Sequence, residues 1–286
     1  MEIRHVGVVG CGIMGGGIVH VCAVHGYDVT VVEADEERLQ KGLDGVYRGL
    51  AREVERGRLT EEQLQRAWGR ISGSTDLNAV ADCDLVIEAV VEDLDVKKAL
   101  FAELGRICRP ETILATNTSS LSLSTLAGAS RRPDRVIGIH FFNPPTVLRL
   151  VEVISSESTS AETIEAAMEF CDSIDRLTVR TVDSPGFIVN RLLVPFIFDA
   201  IRMVESGIAS AEDIDRACRF GLNHAMGPIA TADLIGLDTL LQISESMFEA
   251  YGEPRFKAPT SLRRLVSLGH LGRKTGKGFY DYTPKE

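Results

Sequence analysis

His140 and Glu152 are the most informative pair in this chain, because an imidazole and a carboxylate brought together make a proton acceptor with an orienting partner. They bracket the segment Phe141-Phe142-Asn143-Pro144-Pro145-Thr146-Val147-Leu148-Arg149-Leu150-Val151, and the residues around them are β-branched and apolar. Val136-Ile137-Gly138-Ile139 on one side and Leu150-Val151 with Val153-Ile154 on the other predict buried strands, with the two titratable groups at their edges. An ionised carboxylate left alone in such a place costs several kcal/mol, so the simplest resolution is a hydrogen bond from His140 to Glu152. Taken alone, the segment also allows a histidine satisfied by backbone in the core and a glutamate at a wet strand end.

A second constellation opens the chain. Val6-Gly7-Val8-Val9 runs into Gly10-Cys11-Gly12-Ile13-Met14-Gly15 and then into an apolar helix, a G-x-G-x-x-G turn between strand and helix. Gly10 permits the tight turn, Gly12 lets a pyrophosphate approach the backbone, and Gly15 lets the helix pack on the strand, with the anion at the helix N-terminus. The next strand, Tyr27 to Val32, ends at Glu33, about 20 residues on, where a carboxylate accepts from adenosine ribose hydroxyls. Ala34, Asp35, Glu36 and Glu37 follow, with no arginine or lysine placed to receive a 2′-phosphate. These residues favour NAD over NADP as cofactor.

The elements that must position these groups alternate between strand and helix over the first two thirds of the 286 residues. Helices are predicted from Glu36 to about Gly57 and from Thr60 to about Arg70, the second opened by a capping box, Thr60-Glu61-Glu62-Gln63. Strands follow at Ile71 to Thr75 and Leu85 to Ile87, a helix from Lys97 to Ile107, and a strand at Ile113 to Ala115, in βαβ-like order throughout. Asp183-Ser184-Pro185-Gly186 is turn chemistry, and beyond it the pattern is helical to the end: Ile188 to Glu205, Ser210 to Phe220, Ile229 to Tyr251 and Ser261 to Leu268. The expected architecture is α/β: residues 1–184 form a Rossmann-type doubly wound sheet with a helical insertion at about 36–70, and residues 185–286 form an all-helical domain.

Composition narrows the function class. A hydrophobic fraction of 44% and a charged fraction of 25% suit a globular enzyme with a sizeable core. The net charge of −10 argues against a nucleic-acid partner. Cys11, Cys22, Cys83, Cys108, Cys171 and Cys218 are scattered without C-x-x-C spacing, so neither a metal site nor a disulfide framework is expected, and a reduced, cytoplasmic setting fits. There is no signal-like N-terminal segment and no apolar run long enough to span a bilayer, so no membrane association is expected. Lys41, Arg48, Arg52, Arg56 and Arg58 recur along the insertion among acidic residues. They form either a solvated, ion-paired face or a phosphate-contacting one.

Six blocks, in order, carry a resemblance over nearly the whole chain. They are the glycine-rich turn, Val86-Ile87-Glu88-Ala89-Val90-Val91-Glu92, Thr116-Asn117-Thr118-Ser119-Ser120, His140-Phe141-Phe142-Asn143-Pro144, Asp183 to Arg191, and Gly272-Arg273-Lys274-Thr275-Gly276-Lys277-Gly278-Phe279-Tyr280. Together they resemble the L-3-hydroxyacyl-CoA dehydrogenase family, in particular its single-function bacterial 3-hydroxybutyryl-CoA members. The resemblance implies His140 as catalytic base and Glu152 as its partner, with Ser119 and Asn190 holding substrate oxygens. It implies NAD contacts at Gly10, Gly12, Ile13, Met14, Gly15, Glu33, Glu92, Lys97, Ser119, Asn143 and Lys274.

The implied reaction interconverts an (S)-3-hydroxyacyl thioester and its 3-oxoacyl form, with a short acyl chain on coenzyme A and a substrate cleft between the domains. Alternatives are a hydroxyacyl group on an acyl carrier protein, as in polyketide extender-unit synthesis, a free hydroxy acid, or a non-enzymatic NAD-binding sensor. Two places depart from the family pattern: Pro144-Pro145-Thr146, where Pro-Val-Pro is usual, and Ala225 after His224, where proline is usual. A homodimer through the C-terminal domain is expected, with Phe196, Ile197, Ile201, Met203, Leu237, Leu240, Leu241 and Ile243 supplying more apolar surface than a domain of about 100 residues readily encloses.

Overall fold

The computed structural model describes residues 2–283, and the chain divides into two compact units between Ser184 and Pro185. The first unit is built on eight strands: β1 (His5–Val9), β2 (Asp28–Val32), β3 (Ile71–Ser74), β4 (Leu85–Glu88), β5 (Ile113–Thr116), β6 (Val136–Phe141), β7 (Leu150–Ser155) and β8 (Leu177–Val182). They lie in the order β3-β2-β1-β4-β5-β6-β7-β8. The first six are parallel, and the order reverses direction between β1 and β4, the kind of switch point at whose carboxyl ends open α/β sheets bind their ligands. Val9, Glu88 and Thr116 are in register there.

The strands are apolar because both faces of a parallel sheet are covered. Val6, Val8, Val31, Leu85, Ile87 and Ile113 are fully enclosed and share a core with Ile18, Val19 and Cys22 of helix α1 (Ile13–Val24). The expected insertion is the pair α2 (Glu36–Glu55) and α3 (Glu61–Trp68), and the Thr60–Gln63 capping box forms with both of its hydrogen bonds. Helix α4 (Leu94–Ile107) starts earlier than Lys97 because the Asp93 carboxylate accepts from Val96 N–H and caps it there. Helices α5 (Leu123–Ser130) and α6 (Ala161–Ser173) complete the unit.

The βαβ expectation fails at one step. Strand β7 runs antiparallel to β6, because the connection 142–149 is too short for a parallel crossover. Strand β8 then pairs parallel to β7, so Glu152 lies within the sheet rather than at a strand edge.

The second unit is helical: α7 (Val189–Glu205), α8 (Ala211–Gly221), α9 (Pro228–Ile235), α10 (Leu237–Tyr251) and α11 (Thr260–Ser267). Val194, Ile197, Phe198, Ile201, Ile229, Leu240, Met247 and Leu262 form its core. The single helix expected over 229–251 is two helices. Gly236, at φ 99°, breaks it in a conformation that other residues rarely adopt. Nor is the end all helical: Gly272 bridges Lys277, and Lys277 bridges Asp281, in a compact turn.

Candidate active site

The glycine-rich turn leaves β1 at Gly10 and enters α1 at Ile13. Gly10 has φ 93°, and a Cβ there would lie 2.7 Å from the Ala89 carbonyl oxygen, while a Cβ on Gly15 would lie 1.9 Å from the Gly10 oxygen. Those two glycines are therefore required by the protein's own backbone. Gly12 is different: a Cβ on it would meet nothing within 4 Å. It leaves open space at the N-terminus of α1, where no side chain caps the helix and no acidic residue sits in the first turn. Unpaired N–H groups beside open space suit an anion, so the residues fit a dinucleotide's pyrophosphate.

Glu33, just past β2, accepts from Cys11 N–H at 2.6 Å with Oε1 and from Ala34 N–H at 3.1 Å with Oε2, which fixes its carboxylate against the turn. Ile13 is 78% exposed, whereas Met14 packs partly against the core. Burial, reinforced by the Glu33 carboxylate, pushes the Cys11 thiol up to about 12, so Cys11 is an inert packing group.

Beyond β4 and β5 lies a connected polar cluster. Glu88 is 0% exposed and Lys97 1%, with Lys97 Nζ 2.6 Å from Glu88 Oε1 and 3.1 Å from Glu92 Oε2. Glu92 Oε1 accepts from Thr118 Oγ1, from Ser119 N–H at 3.0 Å and from Ser119 Oγ at 3.4 Å. Burial opposes ionisation of Glu92, but the Lys97 ammonium and these hydrogen bonds outweigh it and hold its carboxyl below the usual range. The structure joins Glu92, Lys97 and Ser119, which the sequence suggests only as separate contacts to the cofactor. The site expectations miss Glu88, the buried carboxylate that ends β4.

The His140–Glu152 pair comes from the antiparallel step. The two residues are directly opposed in β6 and β7, and His140 Nδ1 lies 2.7 Å from Glu152 Oε2. A carboxylate can only accept here, so Nδ1 carries the hydrogen and Nε2 of the neutral ring bears the lone pair. Asn117, not among the residues expected at the site, ties β5 to the strand that carries His140: its Oδ1 accepts from Phe141 N–H at 2.9 Å. The departing loop is held too. The buried Arg176 guanidinium donates to the carbonyls of Pro145 at 3.0 Å and Leu148 at 3.3 Å, and Asn143 is exposed on the loop.

In the second unit Asn190 is buried in the first turn of α7. Lys274 is paired with Asp238 at 2.6 Å. The surrounding turn is clasped by buried Asp233, which accepts from Phe279 N–H and Tyr280 N–H at 2.9 Å each and from Tyr282 Oη at 3.0 Å. Asp215 caps α9 through Ile229 and Ala230 N–H and accepts from Tyr280 Oη. Among the insertion cations, Arg56 and Arg58 are paired with Glu53, while Lys41 and Arg48 share a surface depression with Glu36, Glu37, Gln40 and Asp44.

A reversed parallel strand order, a glycine turn open at a helix N-terminus and a carboxylate ending β2 define a dinucleotide-binding α/β oxidoreductase. The chain belongs to the 3-hydroxyacyl-CoA dehydrogenase family: residues 5–184 match its NAD binding domain and residues 186–282 its C-terminal domain. It is 46% identical over 282 residues to 3-hydroxybutyryl-CoA dehydrogenase of Mycobacterium tuberculosis, covering 98% of this chain and 99% of that one. Its structure superposes on that of M. tuberculosis FadB2 with a TM-score of 0.97 at 46% identity, covering 99% and 100% of the two chains. It also matches (S)-3-hydroxybutyryl-CoA dehydrogenase PaaH1 of Ralstonia eutropha, with a TM-score of 0.94 at 40% identity, covering 99% and 100%. The cofactor is NAD, and the chain is an enzyme of this class.

Proposed function

We propose that this dehydrogenase interconverts (S)-3-hydroxyacyl-CoA and 3-oxoacyl-CoA with short acyl chains, 3-hydroxybutyryl-CoA foremost. The 2.7 Å contact between His140 Nδ1 and Glu152 carries the proposal, together with the names of the relatives. In the oxidation direction His140 Nε2 takes the proton of the 3-hydroxyl as the C3–H bond breaks and the oxygen becomes a carbonyl. When bound, NAD supplies the hydride acceptor for that carbon. Glu152 holds the ring in the productive tautomer and stabilises the imidazolium formed, and burial of both groups keeps water from competing.

Ser119 and Asn190 are assigned to the substrate oxygens by resemblance. Gly10, Gly12, Ile13, Met14, Gly15, Glu33, Glu92, Ser119, Asn143 and Lys274 are assigned to NAD. The resemblance also assigns Lys97 to NAD; with its ammonium buried between Glu88 and Glu92, it is proposed to act on the cofactor through Glu92 rather than by direct contact.

A homodimer through the second unit is part of this proposal, on only some of the residues first expected: Met203 is exposed, and Phe196 and Leu241 are half-buried. Ile197, Ile201, Leu237, Leu240 and Ile243 are buried in the unit's own core. Leu192 at 71% exposure and Phe220 at 77%, with Leu222 and Leu234, supply the uncovered apolar surface. A cytoplasmic location is proposed from six unpaired cysteines; no helix among the described residues is long and apolar enough to cross a membrane.

The test is NADH consumption with acetoacetyl-CoA, run beside acetoacetyl-carrier protein and free acetoacetate. The coenzyme A ester should be reduced with the highest kcat/KM. Faster reduction of either other substrate would reassign the carrier, and NADH binding without turnover of any would leave a sensor.

A further inference from the structure

We propose that Glu88 is a positioning residue: with Lys97 it forms a buried relay that fixes Glu92, and through Glu92 the Thr118–Ser120 turn that presents the Ser119 hydroxyl. The proposal rests on the functional reading above only in giving Ser119 to the substrate.

Glu88 ends a central strand at a point where packing alone would favour an apolar side chain. A buried carboxylate and ammonium together cost several kcal/mol of desolvation, which their attraction offsets only with good geometry and additional hydrogen bonds. Both conditions are met. Glu88 Oε1 accepts from Lys97 Nζ at 2.6 Å and from Val90 N–H at 2.7 Å, and Oε2 accepts from Thr116 Oγ1 at 2.7 Å. Thr116 Oγ1 in turn accepts from Thr118 N–H at 3.1 Å. The second arm runs from Lys97 to Glu92 at 3.1 Å, and from Glu92 to Ser119 N–H at 3.0 Å and Ser120 Oγ at 3.3 Å.

Two routes therefore leave one carboxylate and converge on the same turn. Asn117 N–H still donates to the Glu88 carbonyl, but residues 118–121 between β5 and α5 have no ladder of their own, and side-chain oxygens accept from their N–H groups and set their conformation. A relay of two carboxylates on one ammonium also explains why Lys97 is buried: it joins the two acids, and Glu92 is the one left partly open to a ligand.

The experiment compares wild type, Glu88→Gln and the paired replacement Glu88→Leu/Lys97→Met by amide hydrogen exchange without substrate, by NADH affinity from protein fluorescence, and by kcat and KM with acetoacetyl-CoA. The paired replacement removes both buried charges together, so it folds even where a single change would strand one of them. Exchange of the Thr118, Ser119 and Ser120 amides should rise by about 10-fold or more in it, and less in Glu88→Gln, with helix α1 protected as in wild type. NADH affinity should weaken and kcat should fall more than KM rises. Wild-type protection of residues 118–120 and wild-type NADH affinity in the paired variant would overturn the proposal. A wild-type enzyme inert toward acetoacetyl-CoA would instead defeat the substrate reading, leaving the exchange result to decide the relay.

Discussion

Glu152 lies directly across an antiparallel pair of strands from His140, with its Oε2 2.7 Å from the imidazole Nδ1 and no exposed surface of its own. Register in a sheet is set by the whole hydrophobic pattern of two strands, and a slip of one residue would send one side chain to the opposite face. The proposed proton-transfer pair is therefore held by the fold of β6 and β7, not by a flexible loop. Conservative replacement of either residue should leave the sheet intact, so chemistry and stability can be separated.

Gly12 distinguishes a cofactor surface from a packing need. Gly12→Val should fold normally, because its φ of −70° suits any residue and a Cβ there meets nothing. Its melting temperature should stay within about 2 °C of wild type while NADH affinity falls by more than about 10-fold, or about 1.4 kcal/mol. Gly15→Val should instead fail to fold, since its Cβ would sit 1.9 Å from the Gly10 oxygen. Titration calorimetry and thermal melts check both.

Cofactor preference should follow Glu33. Its carboxylate is pinned at the glycine turn, among Asp35, Glu36 and Glu37, where a 2′-phosphate would meet repulsion and lose a hydrogen-bond partner. NADH should exceed NADPH in kcat/KM by at least about 10-fold, the lower end of what a lost partner costs. Glu33→Gln keeps an acceptor for Cys11 N–H and should narrow the ratio. Equal rates with NADPH would contradict the assignment.

The turn at residues 272–282 should depend on Asp233. Asp233→Ala strands two backbone N–H groups and the Tyr282 hydroxyl, at roughly 1–3 kcal/mol for each group left buried. Urea unfolding should move to lower concentration, and trypsin should cut after Arg273, Lys274 or Lys277 in the native protein. Unchanged proteolysis would show that the clasp is not needed.

Acid should weaken the first unit partly through Glu92. Burial raises its pKa, but Lys97 and the hydrogen bonds from Thr118 and Ser119 lower it further, leaving a net depression in the folded state. A depressed folded pKa contributes stability that is present above the unfolded value and is lost as pH falls through the folded one. Melting temperature should therefore decline below the ordinary carboxylate range, and Glu92→Gln should flatten that decline. A Glu92→Gln profile parallel to wild type would remove Glu92 as a source.

Much of this was legible because the deciding interactions are local or periodic. The glycine spacing, the acidic end of β2 and the Thr60–Gln63 box are set within a few residues of chain. The pairing of His140 with Glu152 followed from the cost of an isolated buried charge, although their direct opposition needed the antiparallel step that the alternating pattern concealed. Lys97 was not legible as a buried group: a lysine in a helix ordinarily faces water, and it takes Glu88, brought close by β4, together with Glu92 to give its ammonium a reason to be inside. The alternation Leu177-Thr178-Val179-Arg180-Thr181-Val182 was a strand signal within reach, and Gly236 was a visible break.

The most direct test of the central claim is a double-mutant cycle on kcat with His140→Gln, Glu152→Gln and both together. Each single change should lower kcat by on the order of 10²–10⁴-fold with NADH affinity nearly unchanged, the Glu152 variant by disturbing the tautomer and the imidazolium. The double variant should be little worse than His140→Gln alone, because a partner has nothing to orient once the base is gone. A double variant that shows the full product of the two losses, with its circular dichroism intact, would mean that the two residues act independently and that the pair is not the proton-transfer unit.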